Sequence, residues 1–452
     1  MTDSSPRAWY RELTPYHWFV FIVASACWSF DCLDQRLFSL ARNPALTALM
    51  PNAATGEVQA TGKTVTAIFL VGWGIGGLIF GALGDRYGRA KMLTVTVLLY
   101  SMFTGLTYFS RTYWDFALFR FITGLGVGGV FGLAVSLIAE TVPDTARTGA
   151  LGMLQVLSTI GNLTAGAFNS MFQSMEQNKL IEMGNSWRFM FLVGAIPAVL
   201  VIFTGKFLKE PEPWLRAKAE GRLPKGSIFA PYAALLAEKR WRRNLLVGAV
   251  LASTGVIGLW AIGEYAVDLQ RFVFRKHYEG EGLSGLALDK AIASSITRAY
   301  TLNMLGAATG MWIFTRIAMA YGRKPAFALG FTAALIVTVL AYWMMSTPTQ
   351  AYIWMPLMGA VQLGPFAGFA IYLPELFPSR MRSTGTSFCY NLGRFAAAAG
   401  SMFSAKLATE AYGHHGSPLM ERYSAMTMCV IFLAGLAILP FAPETKDKPL
   451  PE

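Results

Sequence analysis

The sequence is poor in charged residues, histidine and cysteine, and each shortage excludes a class of protein. Charged residues make up 14% of the 452 residues, against about 25% in soluble domains. So few charges cannot cover the surface of a water-soluble enzyme of this length. The four histidines and four cysteines form no motif with metal-ligand spacing, so the sequence supports neither a bound metal nor another cofactor.

Apolar residues are abundant and form long runs. They make up 54% of the chain, and stretches of about 20 of them, the length that spans a bilayer, recur twelve times. The sequence therefore predicts an all-α membrane protein. The twelve predicted transmembrane spans are 16–40, 63–84, 91–110, 114–140, 148–171, 188–208, 244–267, 295–316, 325–346, 350–373, 383–406 and 421–441.

One polar stretch divides the spans into six plus six. It predicts an N-terminal six-helix bundle over 1–208, a cytoplasmic central loop over 209–243, and a C-terminal six-helix bundle over 244–452. Lys and Arg concentrate on the side of the termini, although the loop 268–294 does not follow this bias, so we expect both termini in the cytoplasm. The net charge of +12 then needs no nucleic-acid partner.

Two motifs occur twice at nearly one spacing. The sequence Tyr-Gly-Arg at 87–89 recurs at 321–323, and the Glu, Pro and Arg of 140–147 recur at 375–382, 234 or 235 residues later. Such a coincidence indicates an internal duplication, and membrane transporters are often built from repeated halves. We therefore expect two pseudo-symmetric bundles.

Four segments resemble the major facilitator superfamily of transporters. They are Gly-Ala-Leu-Gly-Asp-Arg-Tyr-Gly-Arg-Ala-Lys at 81–91, the glycine-rich stretch at 120–129, Glu-Pro-Glu-Pro-Trp-Leu at 210–215 and Pro-Glu-Thr-Lys at 443–446. The resemblance implies two six-helix bundles around a central cavity that opens alternately to each side. It covers nearly the whole chain. We do not expect an enzyme, because the polar loops contain no nucleophile–base pair, phosphate-binding loop or metal-ligand set.

The repeated motifs supply the residues that we assign to conformational gating. Glycines permit the tight turn between the second and third spans. The acid of that turn can pair with a basic group or cap the N-terminus of a neighbouring helix. The second copy departs from the first, since Met319 stands where the first copy has Asp85. The gating residues are Gly81, Gly84, Asp85, Arg86, Gly88, Arg89, Glu140, Arg147, Glu375 and Arg382.

Two acids and an arginine within the apolar spans are candidates for proton coupling. Asp31 and Asp34 lie three residues apart in the first span and share a helix face. Charges at this depth are costly and usually face a cavity. The pair is similar to the acids of organic-acid proton symporters. Arg120, in the fourth span, either pairs with one of these acids or tunes its proton affinity. The alternatives are an ion pair that only fixes packing and an Arg that extends to the outer interface.

A second arginine is the candidate for anion binding. Arg394 lies half-way along the eleventh span, where it needs a counter-anion from the protein or from a substrate. Asn391, one turn earlier, could bind the same ligand. Three further polar residues inside the spans are weaker candidates for substrate contact, with interhelical hydrogen bonds as the alternative. They are Gln155, Asn303 and Gln362.

These features favour one function and leave others open. We expect proton-coupled symport of an organic anion (a monocarboxylate, sugar acid or aromatic acid) by alternating access, performed by a monomer in the cell membrane. The resemblance to the sialate, lactate and aromatic-acid symporters supports this interpretation. The alternatives are a sugar or polyol porter, a cation or drug exporter, and a sensor that binds without transport.

Overall fold

The structure is a computed structural model that describes residues 9–223 and 226–451, and in these ranges every regular element is helical. Its first helices are α1 (Pro15–Leu49), α2 (Thr55–Tyr87), α3 (Arg89–Leu106), α4 (Tyr113–Thr141), α5 (Asp144–Gln177), α6 (Ser186–Val193) and α7 (Ala198–Phe207). The short α8 (Glu212–Ala219) and α9 (Ala230–Ala237) follow. The remaining helices are α10 (Lys239–Ile257), α11 (Gly263–Gly280), α12 (Gly285–Tyr321), α13 (Arg323–Met344), α14 (Pro348–Glu375), α15 (Arg382–Lys406), α16 (Leu419–Met428) and α17 (Ile431–Ile438).

Ten helical segments in the described ranges are long and apolar enough to cross a membrane. They coincide with ten of the twelve predicted spans, with α6–α7, α10–α11 and α16–α17 each forming one continuous segment. The predicted spans 295–316 and 383–406 fall on α12 and α15, which are long helices but more polar. The all-helical membrane fold is confirmed, and the count of twelve spans stays a prediction.

The chain divides into two compact units. The first comprises Met1–Leu245, Ala370–Asn391 and Thr445–Glu452, and the second comprises Leu246–Phe369 and Leu392–Glu444. In the second unit α12 packs on α11 and α13, and α13 also packs on α16 and α17. The bundle and loop boundaries read from the sequence stay a prediction.

Close helix contacts build the core of the first unit, where α4 packs on α2 and α3 and α1 packs on α5. Glycines permit these contacts, because a Cβ at Gly76 or Gly128 would overlap the facing backbone at Leu125 or Trp73. Small residues let membrane helices approach this closely. The glycine-rich stretch of α4 is thus a packing face.

A glycine turn ends the second helix of each half. Gly88, after α2, has φ +111°, and Gly322, after α12, has φ +105°. Side chains other than glycine rarely adopt this backbone conformation. The next arginine in each half folds back to a carbonyl of the preceding helix, from Arg89 to Gly84 and from Arg323 to Ala318. The repeat in the sequence is therefore also a repeat in local structure.

The N-termini of α3 and α13 are capped by glutamates from distant segments. The Glu210 carboxylate accepts from the backbone N–H groups of Ala90 and Lys91 at 3.2 and 2.9 Å. Glu444, 234 residues later, accepts from the backbone N–H groups of Arg323 and Lys324, both at 2.9 Å. Each carboxylate satisfies free N–H groups at the positive end of a helix dipole.

The opposite ends of the same helices are capped by arginines. Arg188 donates to the carbonyls of Tyr108 and Ser110, the latter at 2.9 Å. Arg422, again 234 residues later, donates to the carbonyls of Trp343 and Met345, both at 2.6 Å. A guanidinium at the negative end of a helix dipole is favourable. Matched charges therefore hold α3 and α13 at both ends.

Candidate functional site

A buried ion pair joins α1 to α4 in the first unit. Arg120 Nη1 lies 3.3 Å from Asp34 Oδ2, and the two side chains are 0% and 1% exposed. Thr104, from α3, also donates to Asp34 at 2.7 Å. Residues of α1, α3 and α4 thus meet at one carboxylate, and Arg120 pairs with an acid of the first helix.

The Arg120 guanidinium has partners besides Asp34. Its Nη2 donates to the hydroxyls of Thr123 at 2.8 Å, Thr104 at 3.0 Å and Thr107 at 3.4 Å. Its carbon also lies 4.9 Å from the centre of the Phe191 ring, within cation–π range. A buried cation held by neutral hydroxyls and an aromatic face retains most of its contacts when the acid changes charge.

Asp31 lies one helical turn before Asp34 and is fully buried. The Gln35 amide donates to Asp31 Oδ2 at 3.0 Å. Cys27, one further turn back, is a buried thiol, and the other three cysteines are buried as well. The site therefore combines two carboxylates with one guanidinium, a set that can take up and release a proton while one ion pair forms and breaks.

A second buried cluster lies at the other end of α4. The Asp85 carboxylate accepts from the backbone N–H groups of Ser383 and Thr384 at 3.1 and 2.8 Å, and from the Thr384 hydroxyl at 2.5 Å. It also lies 3.0 Å from the Arg89 guanidinium. A single acid thus binds the first turn of α15, where free N–H groups and the helix dipole favour a negative charge.

Glu140 extends this cluster. Its carboxylate lies 3.1 Å from Arg89 Nε and 2.5 Å from Arg382 Nη1, and it accepts from the Ser379 hydroxyl at 2.9 Å. Arg89 also donates to the Ser379 carbonyl. We call Asp85, Arg89, Glu140 and Arg382 the inner ionic cluster, because all four side chains are buried.

The other predicted gating arginines bind backbone carbonyls nearby. Arg147 donates to Ala139 at 3.2 Å and pairs with Asp144, while Arg382 makes the equivalent bond to Pro374 at 3.0 Å. Arg86 donates to the Gly226 carbonyl in the central loop at 2.7 Å.

The remaining gating candidates lie around α15 and the tail of the chain. Glu375 accepts from the Thr445 hydroxyl at 2.5 Å. Gly81 and Gly84 face α15, where a Cβ on either would press against Ser387 or Ser383. The contacts of Asp85 have no carboxylate counterpart in the second half, where Met319 stands.

The central loop packs on the C-terminal part of α2. Trp214 Nε1 donates to the Asp85 carbonyl at 2.7 Å, and the Tyr232 hydroxyl donates to the Leu78 carbonyl at 2.7 Å. Burial raises the pKa of the Tyr232 hydroxyl, so Tyr232 is a neutral donor at physiological pH. The loop is therefore attached to the helix that carries Asp85.

The candidate substrate residues fall in different units. Gln155 lies in the first unit and accepts from Trp28 Nε1 at 2.8 Å. Asn391, also in the first unit, donates to the Ser387 and Gly128 carbonyls at 2.8 and 3.3 Å. Asn391 is thus seated against the glycine face of α4.

The second unit contains the other three candidates. Asn303 donates to the Met355 carbonyl at 2.8 Å, and Gln362 donates to the Thr338 hydroxyl at 3.1 Å. Arg394 lies within α15 and is 5% exposed. Asn303 and Gln362 are thus engaged in interhelical hydrogen bonds.

Sequence reasoning missed the aromatic residues beside Gln155. Phe131 and Tyr390 are stacked with ring centres 3.8 Å apart, and Trp28 lies 5.0 Å from Phe131. A usable signal was present, because Trp28 precedes Asp31 by one turn and so shares its helix face. Nothing in the sequence indicated that Tyr390, some 260 residues away from Phe131, would reach it.

Comparisons with known proteins agree with this architecture. The family profile described as "Sugar (and other) transporter" matches residues 44–230. The chain is 29% identical to a "Probable 4-methylmuconolactone transporter" of Cupriavidus pinatubonensis, over 86% of this chain and 83% of that protein. It is 25% identical to the "Sialic acid transporter NanX" of Escherichia coli, over 90% and 91%. The "proton:xylose symporter XylE" has a similar structure, with TM-score 0.73 and 20% identity over 96% and 98% of the two chains.

The fold, the repeated turn motif and these similarities indicate the same class of protein. The chain is similar in sequence to curated membrane transporters and has the fold of the major facilitator superfamily. It is therefore a multi-pass integral membrane transporter of small molecules. Its family and structural neighbours are transporters, which supports a protein that is not an enzyme.

Proposed function

We propose that this protein couples proton movement to the uptake of an organic anion. The observation that carries the proposal is the buried pair of Asp34 and Arg120, with Asp31 one turn away. Burying charges in a membrane protein is costly, so such groups usually serve a transport pathway. The pair provides an acid that can bind a proton and a neighbouring cation that favours the loss of that proton.

The proton step follows from the contacts of the pair. When Asp34 takes up a proton, its carboxylate becomes neutral and its attraction to Arg120 falls. Arg120 remains bound to three threonine hydroxyls, so the guanidinium stays buried while α1 is released from α4. Loss of the proton restores the ion pair. Asp31 supplies a second carboxylate to which the proton can pass.

The substrate class rests on the relatives and on Arg394. Relatives of this chain are named as transporters of 4-methylmuconolactone and of sialic acid. Arg394 is buried half-way along α15, where a permanent cation can bind a carboxylate. Further substrate contacts would come from four polar residues, Gln155, Asn303, Gln362 and Asn391.

Access to the cytoplasmic side depends on the inner ionic cluster. Asp85 and Glu140 bind the first turn of α15 and the segment before it, so these contacts must break before the inner ends separate. The gating role of the cluster, monomeric function and cytoplasmic termini are parts of this proposal.

The test uses purified protein reconstituted in liposomes with a panel of monocarboxylates, sugar acids and aromatic acids. We expect an inward proton gradient to drive uptake of one of these classes, and the variant Asp34→Asn to abolish the pH dependence while exchange of substrate across the membrane persists. Asp115→Asn is the matched control, because Asp115 only caps the first turn of α4. Wild-type uptake that ignores the pH gradient would refute proton coupling.

A sugar porter is the second candidate. The family description and the structural likeness to a xylose symporter favour it, although at 20% identity that likeness shows the fold alone. Under this alternative, sugars compete for uptake and Arg394→Gln leaves it unchanged. Under our proposal, Arg394→Gln weakens anion uptake and sugars do not compete. Outward cation flux or binding without flux would favour an exporter or a sensor.

A further inference from the structure

Three aromatic side chains from three helices form one cluster in the first unit. Tyr390 of α15 stacks on Phe131 of α4 with centres 3.8 Å apart and ring planes at 21°. Trp28 of α1 lies 5.0 Å from Phe131 and 6.1 Å from Tyr390. All three are at most 3% exposed. We call these residues the aromatic cluster.

The same Trp28 also fixes the orientation of a polar residue. Its indole N–H donates to Gln155 Oε1 at 2.8 Å, which directs the Gln155 amide nitrogen away from the indole. That nitrogen is buried and makes no hydrogen bond within the described ranges, and the side chain is 2% exposed. A buried donor without a partner is costly, and a ligand acceptor would satisfy it.

The cluster changes whenever α15 leaves α4. Tyr390 lies six residues beyond Thr384, about 9 Å along the helix at 1.5 Å per residue, and Thr384 is bound to Asp85. Separation of α15 from the inner ionic cluster therefore removes Tyr390 from Phe131 as well. Trp28 then loses one face of its packing, and the indole that orients Gln155 becomes free to turn.

We propose that Trp28 is a positioning residue that couples closure of the aromatic cluster to the orientation of Gln155. With the cluster closed, the indole holds the Gln155 amide as a donor for an acceptor group of the substrate. With the cluster open, the amide is released and the substrate contact weakens. This inference rests on the proposed function for the role of Gln155, but the contacts that carry it do not depend on the substrate.

The first experiment measures uptake by Trp28→Phe, which keeps an aromatic ring and removes the N–H group. The matched control is Trp187→Phe, because Trp187 is equally buried and its N–H makes no hydrogen bond in the described structure. We expect KM for the transported anion to rise roughly three- to tenfold in Trp28→Phe, the effect of one lost hydrogen bond, with kcat nearly unchanged. The control should match the wild type.

A double variant separates coupling from general damage. Trp28→Phe combined with Gln155→Ala should be no worse than Gln155→Ala alone, because Trp28 acts through Gln155. Additive losses, or a Trp28→Phe KM equal to that of the control, would overturn the inference.

The second experiment needs no substrate and so does not depend on the proposed function. Cys389 is buried next to Tyr390, and Cys429 is a buried control thiol in the second unit. Coupling is reciprocal, so Gln155→Ala should raise maleimide labelling of Cys389, measured by mass spectrometry, at least about twofold, with Cys429 unchanged. Phe131→Leu, which removes the stack directly, should raise it further. Labelling of Cys389 that responds to Phe131→Leu but not to Gln155→Ala would refute the coupling even if no substrate is found.

Discussion

Removing either member of the Asp34–Arg120 pair should destabilise the protein by different amounts. The variant Arg120→Gln leaves the Asp34 carboxylate buried with one hydrogen bond from the described chain, that of Thr104 at 2.7 Å. Breaking a buried ion pair in this way costs about 3–5 kcal/mol. We therefore expect a loss of that size in the free energy of unfolding.

The variant Asp34→Asn should cost less. Arg120 keeps its three threonine hydroxyls at 2.8 to 3.4 Å and the ring of Phe191. Its lost contacts are the two to Asp34, at 3.3 and 3.5 Å, which are longer than the usual charge-assisted bond. A cost of about 1.5–2 kcal/mol follows, at the lower end of the range for hydrogen bonds to charged groups.

The double variant completes the cycle. With both residues replaced by neutral amides no charge is left unpaired, so the double variant should be more stable than Arg120→Gln alone, by about 2 kcal/mol. Denaturant titration in detergent, followed by helical circular dichroism, measures all four proteins. Equal losses in the two single variants, or strictly additive losses in the double variant, would show that the pair does not have the asymmetric surroundings described.

Three further predictions concern packing and gating. Asp85→Asn removes the charge from an acid that binds both Arg89 and the first turn of α15, so labelling of the buried Cys389 should increase, and unchanged labelling would contradict a gating role. Gly76→Ala, whose Cβ would overlap the Leu125 backbone, should lose about 1–3 kcal/mol of unfolding free energy, whereas Gly166→Ala, with open space around it, should change it by less than about 1 kcal/mol. Arg188→Gln and Arg422→Gln should each lower the free energy of unfolding by about 1 kcal/mol, because both arginines cap the end of a helix. A large difference between the two denaturant titrations would contradict the equivalence of the two caps.

Local patterns of the sequence predicted most of the fold. Apolar runs located ten spans because the bilayer demands about 20 such residues, and the turn at Gly88 recurs at Gly322 because only glycine tolerates its backbone there. The charged caps of α3 and α13 follow the same 234-residue spacing. They could have been found by extending the repeat to Glu210 and Glu444, whose surrounding motifs were already evident.

The sequence did not predict the side-chain partners that depend on tertiary contacts. The choice of Asp34 rather than Asp31 as the partner of Arg120 depends on Thr104, which comes from a third helix. Asn391 is predicted to bind substrate, yet its amide donates to a carbonyl of α4. The amide fits there because Gly77 of α2 has no side chain, since a Cβ at Gly77 would overlap it. Gly128 and Asn391 are 263 positions apart. Their proximity has no local signature.

The helix α4 links the two charged sites of the first unit. Arg120 and Glu140 lie 20 residues apart on it, a distance of about 30 Å at 1.5 Å per residue. Its glycines are packed against α2 so closely that a Cβ at Gly128 would overlap the Trp73 carbonyl. Backbones in such contact cannot slide past each other without clashing, so α2 and α4 must move as one body. A proton on Asp34 can therefore influence Glu140 by tilting or releasing this pair of helices, while sliding of α4 along α2 is excluded by the packing.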